Sequence, residues 1–150
     1  MSAIIASDLA VSSITDADIE TVAALWQRCG LTQPWNDPTA DIAFARRGPN
    51  SDILVGRRAG KLVATALVGH DGHRGWFYYL GVDPALQGRG FGRAMTQAAE
   101  AWLAERGIAK AQLMVRADND GVRAFYQALG YGEQKRVIYA KWLDGRDLTP

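Results

Sequence analysis

The stretch that most constrains this chain is residues 78–100, which read YYLGVDPALQGRGFGRAMTQAAE. It starts in a β-type run, passes through a loop with glycines at 88, 90 and 92, and continues with apolar residues at helical spacing. The pattern predicts a strand, a glycine loop and a helix in succession. Bare glycine backbone at a helix start leaves amides unpaired beside the positive end of the helix dipole. A site for a phosphate or pyrophosphate group is therefore indicated.

Two common phosphate-binding loops do not match this stretch. A P-loop would end in Gly-Lys-Ser or Gly-Lys-Thr, which is not present here. The dinucleotide fingerprint Gly-x-Gly-x-x-Gly fails because position 93 is arginine. Arg89 and Arg93 add positive charge beside the loop. The alternative to a ligand site is a structural turn, in which the glycines only let a helix pack closely on a sheet.

The loop resembles the pattern Gln/Arg-x-x-Gly-x-Gly/Ala of the coenzyme A pyrophosphate loop in the GNAT N-acetyltransferase superfamily, here with Gln87, Gly88, Arg89, Gly90, Phe91 and Gly92. Residues 119–131, NDGVRAFYQALGY, are similar to the second signature of that superfamily, Asn-x-x-Ala/Gly-x-x-Phe-Tyr-x-x-x-Gly-Phe/Tyr, slightly re-spaced at its start. Two signatures in this order are far more specific than either alone. Residues 35–38, 69–75 and 78–82 also resemble a small bacterial subgroup, the YpeA-like acetyltransferases.

Length and composition set the broad class. With 150 residues and 48% hydrophobic content, the chain is expected to be a single GNAT domain over residues 1–150. A net charge of +1, with scattered charges, predicts no surface for nucleic acid or membrane. Cys29 is the only cysteine, which excludes an intramolecular disulfide, and no metal-ligand spacing is present. No secretory signal and no apolar run of the ~20 residues that span a bilayer are seen, so a cytoplasmic location is expected.

The expected fold class is α/β, with a mixed α+β sheet. The order implied by the resemblance is β1-α1-α2-β2-β3-β4-α3-β5-α4-β6, with a splayed central sheet. Periodicity and turn residues predict strands at residues 9–14, 52–58, 61–70, 76–82, 111–115 and 137–142. Predicted helices begin at caps near Thr15, at Asp37 and at Asn119 or Asp120, and a further helix follows the glycine loop; they end near Cys29, Gly48, Gly130 and Arg106, respectively.

The resemblance implies acetyl-CoA as the co-substrate. By analogy, the pantetheine arm would pair with the backbone of Leu80, Gly81 and Val82, while the pyrophosphate would bind residues 87–93. The same analogy adds contacts from Asn119 and Phe125. Independently, Gly81 inside a β-type run predicts a bulge or a close backbone approach, or else relief of crowding. Asn119 has an ordinary alternative as a helix cap.

Acetyl transfer from a thioester to an amine needs a neutral amine, a polarised carbonyl and a proton for the thiolate. Tyr126 is the candidate general acid, since a phenol with pKa ~10 is protonated at neutral pH and its position matches the acid of the family. Its alternative role is that of an aromatic in the helix stripe. Residues 76–82 contain no Asp or Glu, so the carboxylate that some relatives carry on this strand is missing. Candidate bases acting through water are Asp37, Asp71 and His73, although such loop residues often serve local geometry.

In the superfamily, the first two helices and their connecting loop commonly wall the acceptor site. Trp35, Asn36 and Asp37 are therefore lining candidates, together with Asp71 and His73, and Trp35 is alternatively a core anchor. The expected reaction is direct attack of a small-molecule amine or peptide in a ternary complex, without metal or covalent enzyme intermediate. The rivals are a protein acetyltransferase acting on N-termini or lysines and a non-catalytic acetyl-CoA-binding module. The oligomeric state is left open, a homodimer included.

Overall fold

A computed structural model describes residues 8–148. They belong to two compact units, divided between Met114 and Val115. The first unit contains strands β1 (Ala10–Ser13), β2 (Ser51–Arg58), β3 (Lys61–His70), β4 (Gly75–Val82) and β5 (Ala111–Leu113), and helices α1 (Ile19–Arg28), α2 (Pro38–Ala45) and α3 (Phe91–Glu105). Short 3-10 turns lie at Asp16–Asp18 and Pro84–Leu86. The second unit contains α4 (Asp120–Ala128).

The five strands form one mixed sheet in the order β1-β2-β3-β4-β5. Strands β1 to β4 pair antiparallel with their neighbours, and β5 is parallel to β4. The β2–β3 hairpin turns through Ala59 and Gly60, whose φ angles of 50° and 80° suit a type I′ turn. Helix α3 connects the parallel pair as a β–α–β crossover. The mixed α/β sheet predicted from the sequence is confirmed.

Successive residues of β2 point to opposite faces of the sheet, which shows what covers each face. Ile53 and Val55 belong to a buried cluster with Trp26 and other residues of α1 and α2. Gly56, one position further, points to the other face, because a Cβ there would lie 2.9 Å from the Met95 side chain of α3. Helices α1 and α2 therefore cover one face of the sheet and α3 covers the other.

The two helices of the first face start at the predicted caps. The Thr15 amide donates to the Asp18 carboxylate at 3.0 Å, as in a capping box. Asp37 Oδ1 accepts from the Thr39 amide at 3.0 Å at the start of α2. Helix α2 ends at Ala45, somewhat short of its expected end. These caps fix where both helices begin, and hence the loop that joins them.

The sixth strand expected at residues 137–142 is not formed. Val137, Ile138 and Tyr139 are 80%, 68% and 92% exposed and take no part in the sheet. Their β-branched and aromatic side chains favour a strand, but a strand needs a neighbour whose backbone groups complete its hydrogen bonds, and none pairs with them among residues 8–148. The expected element order is therefore correct from β1 to α4 and wrong at β6.

Two further properties concern the part of the chain that the structure describes. None of its helices has both the length and the apolar character needed to cross a membrane. Nor do three or more His, Cys, Asp or Glu side chains of residues 8–148 come together as metal ligands.

Candidate active site

The loop before α3 has the geometry of an anion site. Gly88 and Gly90 have φ angles of 79° and 86°, a region that costs other residues ~1–2 kcal/mol. Gly90 is the N-cap of α3, and no side chain of the described residues caps this helix. The first amides of α3 therefore remain available at the positive end of the helix dipole. A phosphate or pyrophosphate fits such a helix start.

Side chains around this loop are either exposed or fully packed. Arg89 and Arg93 are exposed and can turn towards an anion. Phe91 is only 1% exposed, so its backbone alone can face a ligand, and the Arg58 guanidinium lies 5.8 Å from its ring centroid. Gln87 Nε2 donates to the Val82 carbonyl at 3.4 Å, which ties the start of the loop to the end of β4.

The second half of β4 is not paired with β5. Strand β5 pairs with β4 only at Gly75, Trp76 and Phe77, so residues 78–82 have no β5 partner within the described chain. An open edge of this kind can accept an extended chain through backbone hydrogen bonds. The pairing of β4 with β5 thus ends at the point where the family resemblance implies a splay, and the unpaired part of β4 leads directly into the glycine loop.

A bulge interrupts the other edge of β4. Gly81 lies opposite Thr65 and Tyr78 lies opposite Leu67, so two β4 residues face a single residue of β3. Tyr79, inside the bulge, has a φ of 52°, which is rare for a bulky residue and costs ~1–3 kcal/mol. Such strain persists only where surrounding contacts fix the conformation.

Gly81 itself is not the irregular residue. A Cβ at this position would lie 3.1 Å from Leu31 Cδ1 and 3.3 Å from Cys29 Sγ. The glycine therefore relieves crowding against the α1–α2 loop, which is the alternative that the sequence analysis gives for Gly81. The irregularity predicted at Gly81 is found at Tyr79 instead.

Three contacts hold Tyr79 in place. The Tyr79 carbonyl accepts a hydrogen bond from Thr65 Oγ1 at 3.1 Å, and Thr65 Oγ1 in turn accepts a hydrogen bond from Trp26 Nε1 at 3.0 Å. The Trp26 indole stacks on the Tyr79 ring. The Tyr79 hydroxyl donates to Asp41 Oδ2 at 2.6 Å. Since Trp26 and Thr65 are completely buried, the core itself fixes the strained residue.

A cleft of about 520 Å³ opens beside Tyr79. Its volume lies within the range of small-molecule sites. The walls come from the α1–α2 loop, α2 and the facing strands, through Leu31, Asn36, Asp41, Phe44, Ala45, Ser51, Leu67, Tyr78 and Tyr79. Asp41 is the one acidic residue of this lining, and the lining contains no Lys, Arg or His.

The polar end of the cleft consists of Tyr79, Asp41 and Asn36. Burial, and then the hydrogen bond to the Asp41 carboxylate, raise the pKa of the Tyr79 phenol far above its ordinary value, while a hydrogen bond from Asn36 opposes the shift. The hydroxyl therefore keeps its proton and donates a hydrogen bond to the Asp41 carboxylate. The second carboxylate oxygen, Asp41 Oδ1, has no hydrogen-bond partner among residues 8–148 and is available as an acceptor.

Of the five residues predicted to line the acceptor site, Asn36 lies in the cleft wall. Trp35 is 43% exposed and Asp37 caps α2. The Asp71 carboxylate accepts from two amides of its own turn, at 2.9 and 2.8 Å, and these bonds hold the pKa of Asp71 below its usual range. Neither Asp71 nor the exposed His73 contributes to the cleft wall.

The second signature forms α4 in the second unit. Asn119 Oδ1 accepts from the Val122 amide at 3.2 Å and caps this helix. Tyr126 is 8% exposed, and its ring meets Phe125 and Tyr131 edge-on at centroid distances of 4.9 and 5.6 Å. Burial raises the pKa of Tyr126 to about 12. Its phenol is thus fully protonated at neutral pH.

The sequence profile described as the acetyltransferase (GNAT) family matches residues 19–131. The chain belongs to this family. An acetyltransferase of Yersinia enterocolitica is 42% identical to this GNAT protein over 127 residues, which cover 85% of this chain and 90% of the relative. An acetyltransferase of Sodalis glossinidius is 45% identical over 121 residues, covering 81% and 85%. The protein is accordingly an N-acetyltransferase of the GNAT type.

Solved structures share its fold. The aminoglycoside N-acetyltransferase AAC(6')-Iy in complex with CoA matches with a TM-score of 0.78 at 17% identity, over 90% of this chain and 95% of that chain. The ribosomal-protein-S18-alanine N-acetyltransferase from Escherichia coli matches with a TM-score of 0.74 at 29% identity, over 92% and 87%. These likenesses confirm the GNAT fold that the two signatures implied.

Sequence reasoning does not identify four residues that form this candidate site. It includes Tyr79 in a predicted strand and assigns no role in the site to Trp26, Asp41 or Thr65. A usable signal for Thr65 is its position as the one polar residue in the apolar run LVATALV, which is typical of a buried polar contact. Asp41 gives a weaker signal, as one acidic residue within the short helix PTADIAFA.

Proposed function

We propose that this GNAT protein transfers the acetyl group of acetyl-CoA to a primary amine by direct attack in a ternary complex. The observation that carries the proposal is the continuity of the open β4 edge with the uncapped, glycine-lined start of α3. A pyrophosphate at the helix start and an extended arm along the strand suit these two features in turn. The loop from Gln87 to Gly92 also has the sequence pattern of the coenzyme A pyrophosphate loop of the family.

Some backbone groups of this site would bind acetyl-CoA, and another would polarise its thioester carbonyl. Backbone amides of residues 88–93, with Arg89 and Arg93, would hold the pyrophosphate. Backbone groups of residues 80–82 would pair with the pantetheine arm, although the Val82 carbonyl already accepts from Cys29 Sγ at 3.2 Å and from Gln87. A strand amide beside the bulge would polarise the thioester carbonyl, in the manner of an oxyanion hole.

We assign the general acid of the reaction to Tyr126. Tyr126 would donate the proton that the departing thiolate needs, and its raised pKa keeps that proton in place up to strongly alkaline pH. Burial raises the pKa of the Cys29 thiol, which donates to a backbone carbonyl. A neutral thiol is a poor nucleophile, which supports direct attack by the amine rather than an acetylated cysteine.

The acceptor is proposed to be a small molecule. The cleft beside Tyr79 is walled by the aromatic side chains of Phe44, Tyr78 and Tyr79 and has the volume of a small-molecule site. The family match also crosses the boundary between the two units, which supports a single catalytic domain. We also propose that the protein belongs to the YpeA-like subgroup, because residues 35–38, 69–75 and 78–82 are similar to it.

The test is thiol release from acetyl-CoA in the presence of a panel of small amines, amino acids and peptides, with acetylated product identified by mass spectrometry. Release above the acceptor-free rate with at least one small amine is expected. Product only with peptides would move the acceptor to a protein amine. Tight acetyl-CoA binding without transfer to any acceptor would indicate the non-catalytic binding module, and absence of binding would overturn the proposal.

A further inference from the structure

The residues that line the cleft include one acidic side chain and no basic one. Asp41 is its acidic residue, and the other lining residues are apolar, aromatic or neutral. Because the wall has no counter-charge for this carboxylate, a bound molecule that brings a cation gains an ion pair, while one that brings an anion meets repulsion. Amino acids and other carboxylate-bearing amines are therefore poorly suited to the cleft.

The Asp41 carboxylate is held in place before any ligand arrives. Oδ2 accepts the Tyr79 hydroxyl at 2.6 Å, and Tyr79 is itself fixed by its stack on Trp26. Oδ1 has no partner among the described residues. A carboxylate fixed through one oxygen with the other free is a pre-organised acceptor for a charge-assisted hydrogen bond.

Asp41 lies away from the backbone at which acetyl transfer is proposed to occur. It contacts the hydroxyl end of Tyr79, whereas the Tyr79 backbone forms the β4 bulge. The Tyr79 side chain therefore lies between the carboxylate and the Tyr79 backbone. The nitrogen that is acetylated must reach a thioester at the strand edge, so Asp41 would meet a different group of the same acceptor.

We propose that the acceptor is a small diamine: one nitrogen is acetylated, and Asp41 binds a second, cationic nitrogen. This proposal rests on the acetyl transfer proposed above. Leu67, Phe44 and Tyr78 offer apolar and aromatic surface for an aliphatic spacer between the two nitrogens, while the Arg47 guanidinium lies 5.5 Å from the Phe44 ring centroid. Phe44 is 72% exposed, so the cleft wall includes a large apolar surface that a spacer can cover.

The test compares cadaverine with pentylamine, which differ only in the second amino group. For the wild type we expect a higher kcat/KM with cadaverine. In Asp41→Asn, kcat/KM for cadaverine should fall about tenfold or more, mainly through KM, as expected for loss of one charge-assisted hydrogen bond. The value for pentylamine should stay within about twofold.

Two variants control this comparison. Asp16→Asn removes a carboxylate from an exposed ion pair with Arg46, so it makes the same charge change outside the cleft and should leave the preference for cadaverine intact. Tyr79→Phe removes the bond to Asp41 but keeps the Asp41 charge, so it should retain a preference for the diamine. That preference should be smaller than in the wild type, because the carboxylate is no longer held through Oδ2. If Asp41→Asn folds poorly, the comparison of cadaverine with pentylamine in the wild type still tests the proposal.

Binding of cadaverine measured by calorimetry, without acetyl-CoA, separates the two proposals. Weaker binding to Asp41→Asn than to the wild type supports the diamine site even without turnover. Equal binding, or equal kcat/KM for both amines in the wild type, overturns it while acetyl transfer stands. Failure of every acceptor in the panel overturns acetyl transfer instead.

Discussion

Trp26 lies flat against Tyr79, with ring centroids 3.8 Å apart and ring planes 6° from parallel. Tyr79 is the strained residue of the β4 bulge, and Thr65 links its carbonyl to the indole of Trp26. The buried core at α1 therefore sets the conformation of the strand at which we propose the thioester lies. The same contact aims the Tyr79 hydroxyl at Asp41 in the cleft.

Replacing Thr65 tests this link. Thr65→Val keeps the shape but leaves the Trp26 indole N–H and the Tyr79 carbonyl unpaired, which should lower the free energy of unfolding by about 2–3 kcal/mol. Thr65→Ser retains the hydroxyl and is the matched control. Urea unfolding measures the first effect, and the KM for acetyl-CoA should rise in Thr65→Val because the bulge relaxes. Equal stability of the two variants would contradict the linking role of the hydroxyl.

Gly90 and Gly107 allow a matched test of the loop. They flank opposite ends of α3 with φ angles of 86° and 77°, so alanine at either site should destabilise the fold by ~1–2 kcal/mol. Only Gly90→Ala distorts the amides proposed to bind pyrophosphate. We expect its affinity for acetyl-CoA to fall about tenfold, equivalent to about 1.4 kcal/mol, and Gly90→Val to abolish binding.

Calorimetric titration with acetyl-CoA measures both variants. Gly107→Ala should bind as the wild type does, since it lies at the far end of the helix. Equal losses at the two glycines would mean that stability, and not the loop, controls affinity.

Alkaline pH should weaken the fold through Tyr126. Its folded pKa of about 12 lies above the ordinary phenol value of ~10, so the folded state holds its proton more tightly than the unfolded chain does. The stabilisation is complete below pH ~10 and is lost as pH rises through the folded pKa; it amounts to on the order of 2 kcal/mol. Tyr126→Phe has no phenol to ionise, so its stability should fall less over this range. Urea unfolding at a series of alkaline pH values measures the difference. The control is Tyr139→Phe, at a tyrosine that is 92% exposed, and its stability should change with pH as that of the wild type does.

Features of the fold that depend only on residues close together in the chain are predicted from the sequence. The Asp37 cap, the hairpin at residues 59–60 and the glycine loop each depend on a few adjacent positions, and the structure contains all three. The left-handed φ of Tyr79 is imposed by Trp26 and Thr65, which no local pattern connects to it. The Tyr79–Asp41 bond joins residues 38 positions apart, so the cleft was beyond local inference. The expected strand at residues 137–142 fails for the same reason, since pairing depends on a partner elsewhere in the chain.

Tyr126→Phe tests the general acid directly. The phenylalanine keeps the ring and its edge-on contacts with Phe125 and Tyr131 but has no proton to give the thiolate, so kcat should fall about 10²-fold. Affinity for acetyl-CoA should change by no more than about twofold, because the proton is needed only during transfer. Steady-state kinetics and calorimetry on the same preparations separate the two quantities, with Tyr139→Phe as the control. A kcat equal to that of the wild type with several acceptors would remove Tyr126 from the role of acid and leave it as one aromatic of the α4 stripe.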